Sequence, residues 1–138
     1  MNFKFLNVCI IAIIAVASSS CQPTIQYSRT IQNNTDYDIK ICFYYFPQSF
    51  DTIAYCHNIG KHSETMIDGS KGYGQASEFE NCEYSSDSTA SVIIGDSSLH
   101  LNLDLTDINN WAFTRLSRTF NDGGRCECRL VINNNHIQ

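Results

Sequence analysis

The sequence predicts an all-β fold: a single antiparallel β-sandwich of about seven or eight short strands, preceded by an N-terminal signal peptide. Two observations predict it. Apolar and polar residues alternate with a period of two in short runs, and Asn, Asp, Gly or Pro residues bound those runs. Helical periodicity, in contrast, is weak along the whole chain. Of the 138 residues, 118 follow residue 20, which is enough for one domain with a modest core.

The first half of the chain predicts four strands. They cover residues 29–32, 38–46, 51–57 and 64–67. The second is the clearest of them, because apolar residues occupy every second position from Ile39 to Tyr45 and Pro47 ends the run. The polar residues 33–36 supply turn chemistry before this strand. Residues 69–74 hold three glycines and are expected to form a loop.

Two more strands are predicted at residues 90–94 and 99–105. In the later run, leucine occupies every second position from Leu99 to Leu105, and polar residues lie between the leucines. This alternation is typical of a strand with one face in the core and the other in water.

The chain is predicted to end in a hairpin that turns at residues 121–124. A three-residue loop with a glycine in the left-handed bulge position sets Phe120 opposite Cys126 and Leu116 opposite Leu130. A two-residue loop would set both apolar residues opposite arginines, so the three-residue loop is preferred. The number of strands and the spacing of the turns are typical of a loosely immunoglobulin-like sandwich.

The first twenty-one residues have the pattern of an export signal. Lys4 precedes an apolar stretch over residues 5–17, which is too short for a membrane-spanning helix of about 20 apolar residues. The segment Ala17-Ser18-Ser19-Ser20-Cys21 then resembles a bacterial lipobox in the relaxed, Ser-rich form found in Bacteroidota, with Ser18 where Leu is usual. We therefore expect a signal peptide at residues 1–20, a lipidated Cys21 with its tether at 21–28, and a β-sandwich domain at 29–138.

Three further segments carry a resemblance to small Bacteroidota-type envelope lipoproteins of unknown function. These segments are Ile31-Gln32-Asn33-Asn34-Thr35 followed by Asp38-Ile39-Lys40-Ile41, the Asn110-Trp111 pair, and the final strand at 126–132. The resemblance covers most of the mature chain and implies that acyl chains on Cys21, such as palmitate, hold the domain on a lipid membrane. Because Gln22 and not Asp follows the cysteine, it implies the outer membrane and a periplasm-facing domain, with surface exposure as the alternative.

Charge and motifs restrict the function. Loss of Lys4 with the signal leaves 8 Lys and Arg against 14 Asp and Glu, a formal net charge of −6, which argues against nucleic-acid binding. No catalytic, nucleotide or metal motif is found, so we expect a non-enzymatic protein without a cofactor that binds a protein or glycan, or serves structurally. Alternation places Tyr44 and Phe46 on the outer face of their strand, where they form a candidate binding surface.

Two other functions stay open. One is a secreted, non-lipidated protein stapled by disulfides, of inhibitor or toxin type. The other is a hydrolase or thiol enzyme whose site assembles from residues distant in sequence. The fate of Cys21 separates the first of these from the lipoprotein.

The cysteine count depends on Cys21. An exported domain enters an oxidising compartment, where cysteines tend to pair. If Cys21 is acylated, five cysteines of the mature chain remain, so at most two bridges form; otherwise three are available. The five are Cys42, Cys56, Cys82, Cys126 and Cys128.

The preferred bridges are Cys56–Cys82, and Cys42 with either Cys126 or Cys128. The last two lie on one face of a strand, about 7 Å apart at Cβ, which is too far for a bond between them. Each needs a separate partner.

Three weaker patterns were weighed. Cys56 and His57 are neighbours, but adjacent strand residues point to opposite faces, so they are not expected to act as a catalytic pair. The oxygen-rich run from Asp104 to Asn109 lacks the spacing and glycine of a known calcium loop. A group of arginines near the C-terminus is expected to pair with acids in neighbouring strands, and an anion site is the alternative. These arginines are Arg115, Arg118, Arg125 and Arg129.

Overall fold

Two facing β-sheets form the domain, which confirms the predicted all-β sandwich. The computed structural model describes residues 23–46, 51–74, 76, 79–82, 87–116 and 122–138, and this part of the chain holds seven strands. The strands are β1 (Thr24–Asn33), β2 (Ile39–Tyr45), β3 (Ile53–Ile59), β4 (Ser63–Tyr73), β5 (Ser88–Ile93), β6 (Trp111–Leu116) and β7 (Asp122–Ile132). Within the same residues, no helix is long and apolar enough to cross a membrane.

One sheet has the order β4-β1-β7-β6 and the other the order β3-β2-β5. All neighbours are antiparallel except β1 and β7, which run parallel; the expectation of purely antiparallel pairing was therefore wrong at this one ladder. The strand directions give the sandwich two distinct ends. We call the end at which β1, β3, β5 and β7 begin the entry end, and the opposite end the far end.

The far end is held by a buried polar side chain. Asn33 is fully buried, and its amide nitrogen donates to the carbonyls of Tyr37 (2.8 Å), Ile59 (3.2 Å) and Gly60 (3.0 Å). Its amide oxygen accepts from the backbone N–H of Thr35 at 3.0 Å and from the Thr35 hydroxyl at 2.7 Å. The predicted turn after β1 is therefore confirmed, and Asn33 also ties β1 to the β3–β4 connection.

Alternating side chains from both sheets fill the core. On β2, the predicted apolar face is confirmed, because Ile39, Ile41 and Phe43 are buried and Tyr45 packs against them. The inward residues of β7 are Cys126, Cys128, Leu130 and Ile132, all fully buried. Strand burial thus follows the two-residue period that the sequence shows.

Several predicted boundaries were wrong. β1 begins at Thr24 and not at residue 29, so the expected tether at 21–28 overlaps the sheet. β4 continues through Tyr73, which means that the glycine-rich residues 69–74 lie mostly in a strand and not in a loop. Gly69 and Gly72 pair with β1 in the ladder, where pairing on that side outweighs the low strand propensity of glycine.

The predicted strand at residues 99–105 is absent. The stretch makes a single bridge, Leu101 with Ile137, although its leucines do lie in or against the core. Asp104 accepts hydrogen bonds from the backbone N–H and hydroxyl of Thr106, at 2.8 and 2.7 Å, and Asp96 binds Ser98 in the same way before the run. Such local turns compete with a ladder, so the alternation predicted burial correctly and pairing wrongly.

The hairpin register was also wrong. β6 and β7 pair Trp111 with Leu130 and Leu116 with Arg125, so neither predicted loop length is correct. Gly124 does have a positive φ of 91°, as the predicted bulge requires. A Cβ on Gly123 would collide with the carbonyl oxygen of Gly74, and it would lie 2.8 Å from the Thr24 backbone. Glycine here allows three chain segments to meet at the entry end.

Candidate ligand-binding cleft

A cleft of about 700 Å³ opens between the two sheets toward the entry end. Small-molecule sites commonly have volumes of roughly 300–1,000 Å³. Strand-terminal residues lie at its mouth: Tyr45 ends β2, Ile53 begins β3, and Asp87 directly precedes β5. The full lining is Arg29, Phe43, Tyr45, Phe46, Ile53, Tyr55, His57, Ile67, Asp68 and Asp87.

β2 and β3 supply an aromatic wall. Their register pairs Phe43 with Tyr55 and Tyr45 with Ile53, so these side chains leave the same face of the sheet. The rings of Tyr45 and Tyr55 meet edge to face with centroids 5.8 Å apart, and those of Phe43 and His57 do so at 6.2 Å. Tyr55 is nevertheless 57% exposed, so solvent reaches this wall.

β1 and β4 supply the opposite wall, which carries charge. Arg29 pairs with Asp68 in the ladder and Thr30 pairs with Met66, so Ile67 is the extra residue of a β-bulge. Bulges bend a strand and re-aim its side chains. Here Ile67 packs against the core beside the cleft, and Asp68 stands exposed next to it.

Arg29 places a cation at the floor of the cleft. It is only 4% exposed, and its guanidinium carbon lies 4.4 Å from the centroid of the Trp111 ring, a cation–π distance. Trp111 in turn donates its indole N–H to the carbonyl of Leu105 at 3.0 Å. Because these groups fix one another, the positive charge has a defined position beneath the aromatic wall.

The phenol of Tyr45 lies in this charged setting. Burial raises the pKa of Tyr45 above its ordinary value of 10.0, the charge of Arg29 acts to lower it, and Asp68, Tyr55 and Asp87 act to raise it. The net rise keeps the hydroxyl protonated at neutral pH, so it is available to donate a hydrogen bond.

Asp87 shapes the mouth beside an exposed ring. Its carboxylate accepts from the backbone N–H of Phe46 at 2.5 Å, and its own N–H donates to the carbonyl of Tyr44 at 2.9 Å. Phe46 is 56% exposed. The mouth therefore presents an aromatic ring and a carboxylate side by side.

The predicted binding surface is split by the structure. Phe46 lies after the end of β2 and lines the cleft, so the alternation that predicted the outer face does not extend to it. Tyr44 stays half-buried on the outer face with Lys40 and Cys42, away from the cleft lining. Cys21, the predicted lipidation site, lies outside the described residues.

Both preferred disulfides were wrong. The bridges are Cys42–Cys56, across β2 and β3, and Cys82–Cys128, from the segment before β5 to β7. Cys126 belongs to neither and is buried, with its thiol 3.8 Å from the carbonyl oxygen of Ala76. Two bridges among the five cysteines agree with the expected count, and Cys126 and Cys128 share a face without bonding each other, as predicted.

The weaker patterns resolve individually. Cys56 lies in the outer-face bridge while His57 lines the cleft, so the predicted opposition of this pair is confirmed. Asp107 accepts from Asn109, as Asp104 does from Thr106, and each carboxylate serves its own local turn. Among the described residues, no three His, Cys, Asp or Glu side chains gather as a metal site.

The C-terminal arginines spread over separate contacts. Arg129 forms ion pairs with Glu64 at 3.0 Å and with Glu127 at 2.7 Å, which confirms the expected pairing with acids for this residue. Arg125 donates to Gln26 and Arg115 to the carbonyl of Phe79. Arg118 lies outside the described residues, and the other three do not share one surface partner.

Sequence reasoning missed Arg29, Asp68 and the inward position of Tyr55. One signal was available for Tyr55: apolar or aromatic residues alternate at Ile53, Tyr55, His57 and Ile59, which predicts a shared face. Arg29 and Asp68 come together only through the β1–β4 pairing, which no local pattern shows.

No protein-family model, no curated protein and no solved structure matches this chain. The cleft must therefore be interpreted from its own chemistry.

Proposed function

We propose that this chain is a membrane-anchored lipoprotein of the cell envelope, held by acyl chains on Cys21, whose cleft binds a carbohydrate. The observation that carries the binding role is the cleft itself, in which rings from β2 and β3 stand opposite charged groups from β1 and β4. The outer membrane, with the domain facing the periplasm, is the proposed location, and no catalytic step is part of the proposal.

Carbohydrate suits this lining better than a wholly apolar or a strongly charged ligand. The C–H faces of a sugar ring match exposed rings such as Phe46 and Tyr55, because both surfaces are flat and apolar. Sugar hydroxyls donate to carboxylates, and Asp68 and Asp87 provide these at the rim. The phenol of Tyr45 adds a donor between the two sets of groups.

The cysteines support the anchor. Both bridges form among residues 42–128, so neither takes up Cys21. Four thiols are thereby oxidised and unavailable as nucleophiles while the bridges stand. This weighs against the alternative of a thiol enzyme built on Cys56.

Binding is tested with the full acylated chain in detergent against a panel of soluble oligosaccharides. Tyr55→Ala should lower the affinity for a bound glycan by at least about tenfold, or about 1.4 kcal/mol. Val92→Ala is the matched control, since Val92 is 59% exposed on the outer face of the same sheet. Equal affinities for both variants, or no binding by the parent protein, would contradict a carbohydrate site here.

The anchor is tested by mass spectrometry of the mature N-terminus and by fractionation of a Cys21→Ala variant. We expect acyl chains on Cys21 and release of the variant from membranes, because two or three chains bind far more firmly than one. An unmodified Cys21 in the mature protein would favour the secreted, disulfide-stapled alternative.

A further inference from the structure

We infer that the entry end of the sandwich rests on the bilayer that holds the acyl chains, with Tyr73, Tyr55 and Phe46 in its interfacial layer. This inference rests on the proposed acylation of Cys21. It adds an orientation and a contact surface, namely the lipid headgroup region, to a protein proposed so far only to be tethered.

The first observation is the shortness of the tether. β1 begins at Thr24, three positions after Cys21, and Pro23 already accepts a hydrogen bond from Gly74 at 3.0 Å. Fully extended, three residues span at most roughly 10–11 Å. The start of β1 is therefore held within that distance of the acylated residue, and the domain has little freedom to turn away.

The second observation is the distribution of exposed aromatic residues. Three aromatic side chains are strongly exposed in the described part of the chain: Tyr73 at 80%, Tyr55 at 57% and Phe46 at 56%. Tyr73 ends β4 and pairs with Thr24, the residue at which the tether joins the sheet. Phe46 follows the end of β2, and Tyr55 is the third residue of β3, so all three lie toward the entry end.

Aromatic side chains with a polar edge favour the membrane–water interface. Charge gives a weaker pull, because the groups near this end are of both signs: Lys71 and Arg125 accompany Asp68 and Asp87. The expected partner is thus the interface of an ordinary zwitterionic bilayer, recognised through rings and not through a basic patch.

The orientation has a consequence for the cleft. Its mouth is formed by strand ends at the entry end, so the bilayer lies next to the opening. A ligand must then come from the headgroup layer, and free oligosaccharides have restricted access when the protein sits on a membrane.

The test uses the acylated full chain in phosphatidylcholine vesicles that contain brominated lipids, which quench nearby tryptophan fluorescence. Tyr73→Trp reports on the entry end and Asn135→Trp on the far end, and the buried native Trp111 supplies a background measured in the parent protein. We expect strong quenching at position 73 and little at position 135. Inserting a ten-residue Gly-Ser segment between Gln22 and Pro23 should reduce the difference.

Equal quenching at the two positions, or none at position 73, would overturn the inference. Mass spectrometry of the same sample keeps this outcome distinct from failure of the anchor, since a non-acylated Cys21 contradicts the proposed function instead. A second comparison addresses the cleft: the Cys21→Ala protein in solution should bind soluble oligosaccharide more tightly than the acylated protein in vesicles. Equal binding by the two would contradict a mouth that faces the membrane.

Discussion

Replacing Asn33 with alanine should unfold the domain more readily than any other single change of a polar residue at the far end. The side chain is fully buried and joins β1 to the carbonyls of Tyr37, Ile59 and Gly60, while its oxygen accepts two hydrogen bonds from Thr35. An amide has two donor hydrogens, so the three short N···O contacts amount to about two hydrogen bonds.

The magnitude follows from counting groups left without a partner. Two donated and two accepted bonds, at about 1 kcal/mol each, give a loss of about 3–4 kcal/mol for Asn33→Ala. This is a large fraction of the roughly 5–15 kcal/mol that stabilises a typical domain. Asn33→Asp keeps the acceptor for Thr35 but loses the donors and buries a charge, so it should be destabilised at least as much.

Urea unfolding of the three proteins, followed by far-UV circular dichroism, measures these free energies. Asn34→Ala is the matched control, because Asn34 is adjacent and exposed, and it should lose less than about 0.5 kcal/mol. A loss below about 1 kcal/mol for Asn33→Ala would refute the assignment of Asn33 as the residue that fastens the far end.

Three further results are expected. Cys82→Ser with Cys128→Ser opens a bridge of sequence separation 46, and it should cost about 4 kcal/mol on the loop-entropy model, measured by thermal unfolding under non-reducing conditions. Tyr45 should ionise later than an ordinary tyrosine in an alkaline absorbance titration. Because its folded pKa is raised, its stabilising contribution is complete below pH 10 and is lost as the pH rises further, and Tyr45→Phe should remove that part of the alkaline instability. Thr106→Val removes the side-chain hydrogen bond that chiefly lowers the pKa of Asp104, so NMR titration should show that pKa move up toward 3.8.

The face that each strand buries could be predicted from the sequence, because the two-residue period is a local property of the strand. The period from Ile39 to Tyr45 identified the core face of β2 correctly. It also placed the leucines of 99–105 toward the core, even though Asp104 and Thr106 form a turn in place of a ladder. Alternation reports which side is apolar, and pairing depends on whether a neighbouring strand is present.

Long-range pairing could not be predicted in this way. The parallel β1–β7 ladder and the bulge at Ile67 depend on which strands become neighbours, and no single segment encodes that. The same limit explains the wrong disulfides. Cys42 and Cys56 become partners only once β2 and β3 pair in register, although both occupy the face of their strand that points away from the core, which was a usable signal.

Binding and stability are expected to separate between the two ends of the sandwich. At the far end, the bonds of Asn33 and fully buried residues such as Ile39 and Ile59 leave no room for change. At the entry end, Tyr55 is 57% exposed and its ring meets Tyr45 only edge to face. Truncating Tyr55 therefore removes little buried area, and its cost should stay below about 1 kcal/mol. A Tyr55→Ala variant that binds glycan poorly can thus be attributed to the cleft only if its urea midpoint stays near that of the parent, because a large drop would mean that the aromatic wall is structural.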